Sequence, residues 1–450
     1  MMIIPKRKNV AVIGSGIAGL SAGWLLSKTA DVTLYEADDR LGGHANTVDI
    51  ITPEGQCPVD TGFIVYNEAT YPNLTNMFDH LGVETQSSTM TFAASFDDGA
   101  YEYSGTRASG LFAQKANILN TEHWRMIMDI ARFFREGPGL TRDRDENYTL
   151  RALLKDGGFS QSFIKRHILP MGACIWSNSL SDVLDMSARA FVNFFENHGL
   201  LKITNRPQWR TVAGGSRAYI EKLTADWDAK VRLGTPVTAV RRSKSGVEVS
   251  TRHGDTAHFD DVVFACHSDQ ALALLADPTP RECALVGAIR YSPNKAVLHT
   301  DKNLMPKRQA AWASWNYLET SQTEQGSGVS LTYWMNALQN LPTKMDVFVS
   351  LNPARAVRDE HILQEFNYAH PVLNAHALRA QKELWALQGQ NNTWFCGAWF
   401  GSGFHEDGLQ AGLAVAEDLG GWQRPWKVEN PSSRIHVTTR PLATFQEAAE

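Results

Sequence analysis

The chain has 450 residues, of which 43% are hydrophobic and 20% are charged. This length and composition allow a large buried core and favour two lobes over one. The formal net charge is −5 and the basic residues are scattered, so nucleic acid is not an expected partner.

Cysteine spacing and apolar segments bear on chemistry and location. The five cysteines form no CxxC pair, which predicts neither a metal site nor a disulfide framework. No apolar stretch approaches the length of about 20 residues that a membrane-spanning helix needs, and the segment before the first predicted strand is too short for a signal peptide. We therefore expect a cytoplasmic protein. Peripheral contact with the inner face of a membrane through the basic clusters at 6–8 and 241–242 is the alternative, with a solvated surface favoured for both clusters.

The first part of the chain has the pattern of a β-α-β unit. Val10–Ile13 predict a short buried strand, the pattern GxGxxG follows at once, and Leu20–Ser27 show the apolar spacing of a helix. Val32–Tyr35 predict a second strand, which ends in Glu36. These elements form the dinucleotide-binding fingerprint, which places an acidic residue about 20 residues after the first glycine.

Each glycine of this pattern has a physical role. Gly14 permits the tight turn, Gly16 lets the backbone approach a pyrophosphate, and Gly19 lets the helix pack closely on the strand. The free N–H groups at the start of the helix hold the phosphate charge, and Glu36 accepts hydrogen bonds from a ribose. The predicted cofactor contacts in this unit are those of Gly14, Ser15, Gly16, Ile17, Ala18, Gly19, Glu36 and Ala37.

The sequence EADDRLGGHANT, which includes Glu36, resembles the second signature of amine-oxidase-type flavoproteins. That superfamily includes monoamine oxidases, protoporphyrinogen oxidases and phytoene desaturases. The resemblance implies non-covalently bound FAD, with Arg40, Gly42 and Gly43 along its pyrophosphate and ribityl chain. His44 takes the position at which the family usually has a second arginine.

Three later segments resemble other FAD motifs of the superfamily. The segment around Gly62 resembles one that runs past the flavin, although an Asp-Thr-Gly turn entering a strand is a nearly equal alternative. Val231–Val240 predict one strand, in which Val237 would meet the adenine. CGAWFGSGFHEDGLQAGLAV resembles the last motif, a strand, a glycine-rich turn and a helix. In that motif the implied contacts are those of Gly397, Gly408, Leu409 and Gln410.

The order of these segments predicts two interleaved domains in an α/β, amine-oxidase-like fold. A Rossmann-like FAD-binding domain would comprise residues 8–66, 208–285 and 388–425. An α+β substrate domain would comprise residues 67–207 and 286–387. Residues 426–450 would form a C-terminal extension, either wrapped on the fold or partly disordered.

Further segments are candidates for cavity wall or core. Met171–Asn178 combine bulky and small residues, with plain core favoured over an apolar substrate pocket. The aromatic strands AWASWNYLE and SLTYWMNAL are equally compatible with a cavity floor facing the flavin and with ordinary core. His258–Ala265 predict one strand, and His267 after it is interpreted as structural rather than catalytic.

The sequences of several segments point to a narrower group of proteins than the superfamily signature does. CHSDQALALL, PNKAVLHTD and GAWFGSGFHEDGLQAG are similar to a bacterial subgroup described as predicted NAD/FAD-binding proteins. Members are associated with cyclopropane-fatty-acid-synthase-like methyltransferases. The resemblance implies lipid acyl chains as substrates and a lipid methyltransferase as a partner.

Three residues are candidates for catalysis. Amine oxidases commonly keep a lysine near flavin N5, and Lys295 lies in a similar context, although a surface lysine is an equal alternative. His299 follows on the same face of the strand and is a candidate acid or base. His405 lies beside the last FAD motif, where Glu406 or Asp407 would tune its imidazole. Helix capping explains these two acids equally well.

We therefore expect an FAD-dependent oxidoreductase, an oxidase or desaturase, that takes a hydride from a C–H bond of an apolar substrate, first of all a fatty acyl chain. A flavin amine oxidase is the second hypothesis. The third is a flavin-binding accessory protein of a lipid-modifying methyltransferase. A dehydrogenase that uses only NAD is the poorest hypothesis, because it leaves Arg40 and its glycine pair without a role.

Overall fold

The computed structural model describes residues 7–105, 108–202, 205–319, 330–353 and 355–438. Its strands are β1 (Asn9–Ile13), β2 (Asp31–Tyr35), β3 (Thr47–Thr52), β4 (Gly55–Asp60), β5 (Tyr66–Asn67), β6 (Thr85–Ser88), β7 (Phe92–Phe96), β8 (Tyr101–Ser104), β9 (Trp209–Val212), β10 (Ala229–Arg232), β11 (Val237–Ser243), β12 (Gly246–Thr251), β13 (Thr256–Phe259), β14 (Asp261–Phe264), β15 (Arg290–His299), β16 (Trp315–Leu318), β17 (Ser330–Trp334), β18 (Phe348–Leu351), β19 (Ile362–Val372) and β20 (Thr393–Phe395). Its α-helices are α1 (Ile17–Leu26), α2 (Pro72–Leu81), α3 (Ala108–Leu111), α4 (Thr121–Thr141), α5 (Leu150–Asp156), α6 (Gln161–Phe163), α7 (Leu169–Trp176), α8 (Leu180–Asp185), α9 (Ala188–Asn197), α10 (Arg217–Ala225), α11 (Ser268–Leu274), α12 (Pro280–Val286), α13 (Met335–Gln339), α14 (Ala375–Gln381) and α15 (His405–Gly420).

The predicted β-α-β unit lies at the centre of a parallel five-stranded sheet. The strand order is β10-β2-β1-β14-β20. Val12 of β1 lies opposite Leu34 of β2 and Val263 of β14, and all three side chains are buried. Every residue of α1 is buried as well, because this apolar helix packs on the sheet and against α15. The expected Rossmann-like arrangement is confirmed.

Two predicted strands are each divided between different sheets. The segment Val231–Val240 forms β10 in the parallel sheet and β11 in an antiparallel sheet of three strands, with Gly234 at φ +56° in the turn between them. His258–Ala265 likewise changes sheets at Asp260, whose carboxylate accepts the backbone N–H of Asn9. Both single-strand predictions were wrong, because the chain turns at Gly234 and at Asp260 and leaves one sheet for another there.

A second sheet of seven strands forms the other lobe. Its order is β19-β15-β18-β17-β16-β7-β8, with β7 and β16 parallel and the remaining neighbours antiparallel. The helices α4 to α9 share a core with this sheet that is separate from the core of the parallel sheet. The chain therefore builds two lobes, and it crosses between them more than once.

The described part of the predicted C-terminal extension is packed on the parallel-sheet lobe. The indole of Trp426 stacks on that of Trp24, with ring centroids 5.9 Å apart. Arg434 pairs with Asp407 of α15 at 2.7 Å. The extension therefore wraps on the fold as far as residue 438, and residues 439–450 lie outside the described part.

The basic clusters considered for membrane contact are partly committed to ion pairs. Arg242 is buried and pairs with Glu282 at 2.5 Å, so 241–242 cannot act as an exposed cluster. Arg7 pairs with Asp31 and Lys8 with Asp261, whereas residue 6 lies outside the described part. Within the described ranges, no helix is both long and apolar enough to cross a bilayer.

The ion pair of Arg242 generates a stability prediction. Arg242→Ala leaves the buried carboxylate of Glu282 without its partner, which costs about 3–5 kcal/mol of unfolding free energy. Arg241→Ala is the matched control, because that neighbouring side chain is exposed and its loss should cost within about 0.5 kcal/mol. Urea denaturation of both variants measures the difference. Equal stabilities would contradict the prediction.

Candidate cofactor and substrate site

A continuous cavity of about 1670 Å³ runs between the two lobes. Ligand pockets are usually about 300–1,000 Å³, so this cavity can hold a cofactor together with a substrate. Its wall contains most of the predicted cofactor contacts. Those in the wall are Gly14, Ser15, Gly16, Ile17, Ala18, Glu36, Ala37, Arg40, Gly42, Gly43, His44, Gly62, Val237 and Gly397.

The glycine turn after β1 opens one end of the cavity. Gly14 has φ +101°, which favours glycine, and a side chain at Gly16 would meet nothing within 4 Å. A Cβ at Gly19 would instead lie 1.9 Å from the carbonyl oxygen of Gly14. Gly16 therefore leaves space for a ligand. Gly19 instead permits the close packing of α1 on the turn, and it does not lie in the cavity wall.

The start of α1 is suited to an anion. The helix has no side-chain cap and no acidic residue in its first turn, so its first N–H groups point to the cavity without an internal carboxylate partner. Arg40 donates to the backbone oxygen of Gly43 at 2.9 Å and has no carboxylate partner among the described residues. Glu36 accepts from the backbone N–H of Ser15 at 2.9 Å, which fixes its carboxylate beside the turn.

His44 is a partly buried residue whose Nε2 atom is itself buried and unsatisfied. Its Nε2 has no hydrogen-bond partner, and burial lowers its pKa well below the usual range, so the ring is neutral. The rings of Tyr368, His370 and His267 lie 5.0, 5.4 and 6.0 Å away. The described residues contain no cluster of three or more His, Cys, Asp or Glu side chains suited to a metal. A buried orphan nitrogen needs a partner, which a phosphate oxygen or flavin atom can provide.

These features together fit a flavin dinucleotide. The open space at Gly16, the uncapped helix start and the orphan nitrogen of His44 all face the same cavity end. Val237, the residue that the resemblance assigns to the adenine, also lies in the wall.

Three predicted contacts of the last motif lie outside the cavity wall. A Cβ at Gly408 would meet the side chain of Ile17 at 2.9 Å, so this glycine permits the packing of α15 on α1. Leu409 is buried in the core, and Gln410 donates to Glu406 at 2.9 Å. The cavity wall therefore gives no support for cofactor contacts by these three residues, whose side of the helix is turned toward α1 and the tail.

The predicted roles of Lys295 and His299 are contradicted as well. The Nζ atom of Lys295 lies 2.8 Å from Glu365, and both side chains are about half exposed. His299 is fully buried, with Nε2 2.8 Å from the Ser350 hydroxyl, and burial lowers its pKa to about 4. The two residues do share one face of β15, but this face is turned away from the cavity, because Ala296 on the opposite face packs with the wall residues Tyr333 and Tyr368. Neither side chain lies in the cavity wall.

His405 does lie in the cavity wall. Its ring stacks on Phe63 with centroids 3.7 Å apart, and its Nε2 is 2.9 Å from the Tyr219 hydroxyl. Burial lowers the pKa of His405 to about 3, which keeps the imidazole neutral at physiological pH. It is therefore a hydrogen-bonding group rather than a strong base.

The two acids that follow His405 do not tune it. The carboxylate of Glu406 accepts the backbone N–H groups of Asn73 and Leu74 at 3.0 and 2.9 Å and so caps α2. Asp407 accepts the N–H of Phe404 at 2.7 Å at the start of α15. Capping, which the sequence left as an equal alternative, explains both residues.

Sequence reasoning missed a set of wall residues on β19. Phe366, Tyr368 and His370 alternate along this strand and all lie in the wall. The Tyr368 hydroxyl is 2.8 Å from the Thr61 hydroxyl, which joins the second sheet to the segment beside Gly62. The alternating F-x-Y-x-H pattern could have predicted that these three side chains lie on the same face of one strand.

His267, interpreted as structural, begins α11 and also lies in the cavity wall. Its ring stacks on Tyr291, with centroids 4.3 Å apart. A structural role and a place beside the cofactor are thus combined in one residue.

The uncertain aromatic and apolar segments divide between wall and core. Trp315 and Tyr333 lie opposite each other on β16 and β17 and contribute to the wall. Trp312 packs instead against Trp334, with centroids 5.4 Å apart, outside the wall. In the segment Met171–Asn178, the first residue and Ile175 to Ser177 reach the cavity, while the intervening residues are core.

A parallel sheet with a glycine turn at its carboxyl edge, closed by a second lobe over one long cavity, defines a two-lobed dinucleotide-binding flavoprotein. The family model described as flavin containing amine oxidoreductase matches residues 17–366. The chain belongs to this family. It is an FAD-dependent oxidoreductase, as the sequence predicted.

Solved structures share this fold at low sequence identity. The fatty acid isomerase from P. acnes that produces CLA has a TM-score of 0.65 and 16% identity over 92% of this chain and 98% of its own. A protein named as a protoporphyrinogen oxidase from Exiguobacterium has a TM-score of 0.65 and 15% identity over 92% and 99%. Putrescine oxidase with bound putrescine has a TM-score of 0.63 and 14% identity over 92% and 99%.

The glycine turn yields a paired test of cofactor binding and folding. Gly16→Ala adds a methyl group to open space, so the apo protein should keep its unfolding free energy while FAD affinity falls at least about tenfold. Gly19→Ala should destabilise the apo protein by several kcal/mol, because its methyl group collides with a backbone oxygen. FAD titration and urea denaturation measure the two effects. Unchanged FAD affinity in Gly16→Ala would contradict the assignment of this glycine turn to FAD binding.

The depressed pKa of His405 predicts a pH dependence. The unfolded chain binds a proton on this residue below about pH 6.5, but the folded chain binds it only near about pH 3. The wild type should therefore lose stability as the pH falls from 6.5, by about 1.4 kcal/mol per pH unit more than His405→Gln. Urea denaturation of both apo proteins checks this at about pH 7, above both pKa values, and at about pH 6, 5 and 4.5, which lie between them. If the unfolding free energies of the two proteins fell in parallel with pH, the His405 imidazole would not be buried as a neutral group.

Proposed function

We propose that the protein oxidises a fatty acyl chain of a lipid, as an oxidase or desaturase. The observation that supports this proposal is the composition of the cavity wall in the second lobe. Apolar side chains there come from several elements, among them Phe92, Ile127, Ile130, Phe134, Met171 and Ile175. The acidic residues in the described wall are Glu36, Asp38 and Asp39, all next to the glycine turn.

An ammonium substrate would be poorly served by this wall. A buried cation needs a carboxylate or other anionic partner, and among the described wall residues of the second lobe none is acidic. The basic side chain of Arg206 lies in that wall and would repel an ammonium group while attracting a carboxylate or phosphate head. A structural neighbour described as a fatty acid isomerase provides precedent for an acyl substrate in this fold.

The protein's own residues would bind and orient the chain beside the cofactor. When bound, FAD supplies the acceptor for a hydride from the substrate. The apolar wall excludes water from the reacting carbon, and Trp315 and Tyr333 present flat faces to the chain. Neutral His405, held by Tyr219, is assigned a positioning role because its pKa of about 3 makes it a weak base.

An anaerobic absorbance spectrum of the FAD-loaded protein tests this function. Phospholipids with unsaturated or methylated acyl chains, supplied in detergent micelles, should bleach the flavin bands. Ile175→Glu places a charge in the apolar wall and should abolish bleaching by lipid while FAD remains bound. Leu363→Glu makes the same kind of change at an exposed position and should bleach as the wild type does.

The alternative functions give different spectra. Bleaching by primary or polyamines but not by lipids would establish an amine oxidase and refute the acyl proposal. Flavin that no lipid and no amine reduces would instead favour an accessory protein for a lipid methyltransferase.

A further inference from the structure

An apolar patch is exposed on α4 and on the short 3₁₀ turn Lys115–Leu119 before it. The exposed fractions are 51% for Ile118, 89% for Leu119, 44% for Trp124 and 61% for Met128. We call these four side chains the α4 patch. Single exposed apolar residues are ordinary, but four large ones within about three helical turns indicate an interaction surface.

Trp124 and Met128 of the α4 patch lie on the same helix as part of the cavity wall, and Ile118 and Leu119 lie on the turn before it. Ile127, Ile130 and Phe134 of α4 lie in the cavity wall. These three wall residues lie on a different face of α4 from the exposed Trp124 and Met128. The helix therefore presents one apolar face to the cavity and a second apolar face to solvent. The patch is therefore adjacent to the proposed acyl site.

The patch is held in place by its own contacts. The indole N–H of Trp124 donates to the backbone oxygen of Ile118 at 2.9 Å. The ring of Phe112 lies 5.3 Å from that of Trp124. The exposed apolar atoms are thus fixed outward, and no described residue covers them.

The charge around the patch is positive although the whole chain is negative. Residues 108–142 carry five basic and three acidic side chains, and the acidic residues Asp143, Asp145 and Glu146 follow only beyond the far end of α4. The three acids pair with arginines at 3.0, 3.2 and 2.7 Å, as Glu122–Arg125, Asp129–Arg132 and Glu136–Arg135. Lys115, in the same 3₁₀ turn as Ile118 and Leu119, has no carboxylate partner among the described residues. An amphipathic helix with apolar tips and basic flanks suits an anionic lipid surface.

We propose that the α4 patch docks the protein on the surface of an anionic bilayer, next to the cavity that receives the acyl chain. The biological purpose of this docking rests on the proposed function, whereas the vesicle-binding test below does not depend on it. Charge complementarity and the adjacent apolar wall favour a lipid surface over a second copy of the chain, whose own patch would carry the same positive charge. The large exposed side chains enter the head-group boundary, and the basic residues contact lipid phosphates.

Sedimentation with vesicles tests the docking surface. The FAD-loaded full chain is mixed with phosphatidylglycerol vesicles and with phosphatidylcholine vesicles, without turnover. The wild type should bind phosphatidylglycerol more tightly, and Leu119→Ser/Met128→Ser should weaken that binding about tenfold or more. Ile51→Ser is the matched control, because Ile51 is 81% exposed on β3, away from α4, and should bind as the wild type does.

Three outcomes would overturn the proposal. They are no vesicle binding by the wild type, equal binding by the double variant, and a dimer in size-exclusion chromatography that the double variant dissociates, which would assign the patch to a second copy. Flavin reduction by micellar lipid keeps this test separate from the proposed function. Wild-type vesicle binding without flavin reduction would refute the function alone, and reduction by micelles without vesicle binding would refute the docking alone.

Discussion

The close approach of two helices at the glycine turn is the constraint on which the site depends. A Cβ at Gly19 would come within 1.9 Å of the Gly14 oxygen, and a Cβ at Gly412 of α15 within 2.3 Å of the Ala18 oxygen. With no side chain at either position, α1 is clamped between the parallel sheet and α15. This clamp fixes the start of α1 at the cavity, where its N–H groups and Arg40 would hold the cofactor pyrophosphate.

A buried carboxylate joins this nucleotide-binding core to the second lobe. Asp60 accepts the N–H and hydroxyl of Ser216 at 2.9 and 2.7 Å, and the amide of Gln339 at 2.8 Å. Ser216 begins α10 of the first lobe, and Gln339 ends α13 of the second. The next residues, Thr61 and Gly62, are thereby held in the cavity wall. The cofactor end and the apolar end of the cavity thus share one rigid border.

The sequence alone predicted those parts of the candidate site whose geometry is set by residues close together in the chain. The turn after β1, Glu36 and the Arg-Gly-Gly segment could be read because spacing along the chain sets their geometry. Lys295 could not be placed, since its environment depends on pairing with Glu365 and on which face of β15 is turned toward the cavity. Glu406 caps α2, a helix more than 300 residues away in sequence, which spacing cannot reveal. The exposed stripe of α4 also became visible only once packing had buried the other faces.

The central claim is that one cavity holds both the flavin and an acyl chain. The most direct measurement is the difference spectrum of the oxidised, FAD-loaded protein on binding a long-chain lipid whose acyl C–H bonds are replaced by C–F bonds, so that it cannot give up a hydride. The account predicts a shift of the flavin bands that saturates with lipid binding, because the chain displaces water beside the ring. Lipid binding detected by calorimetry with an unchanged flavin spectrum would contradict it.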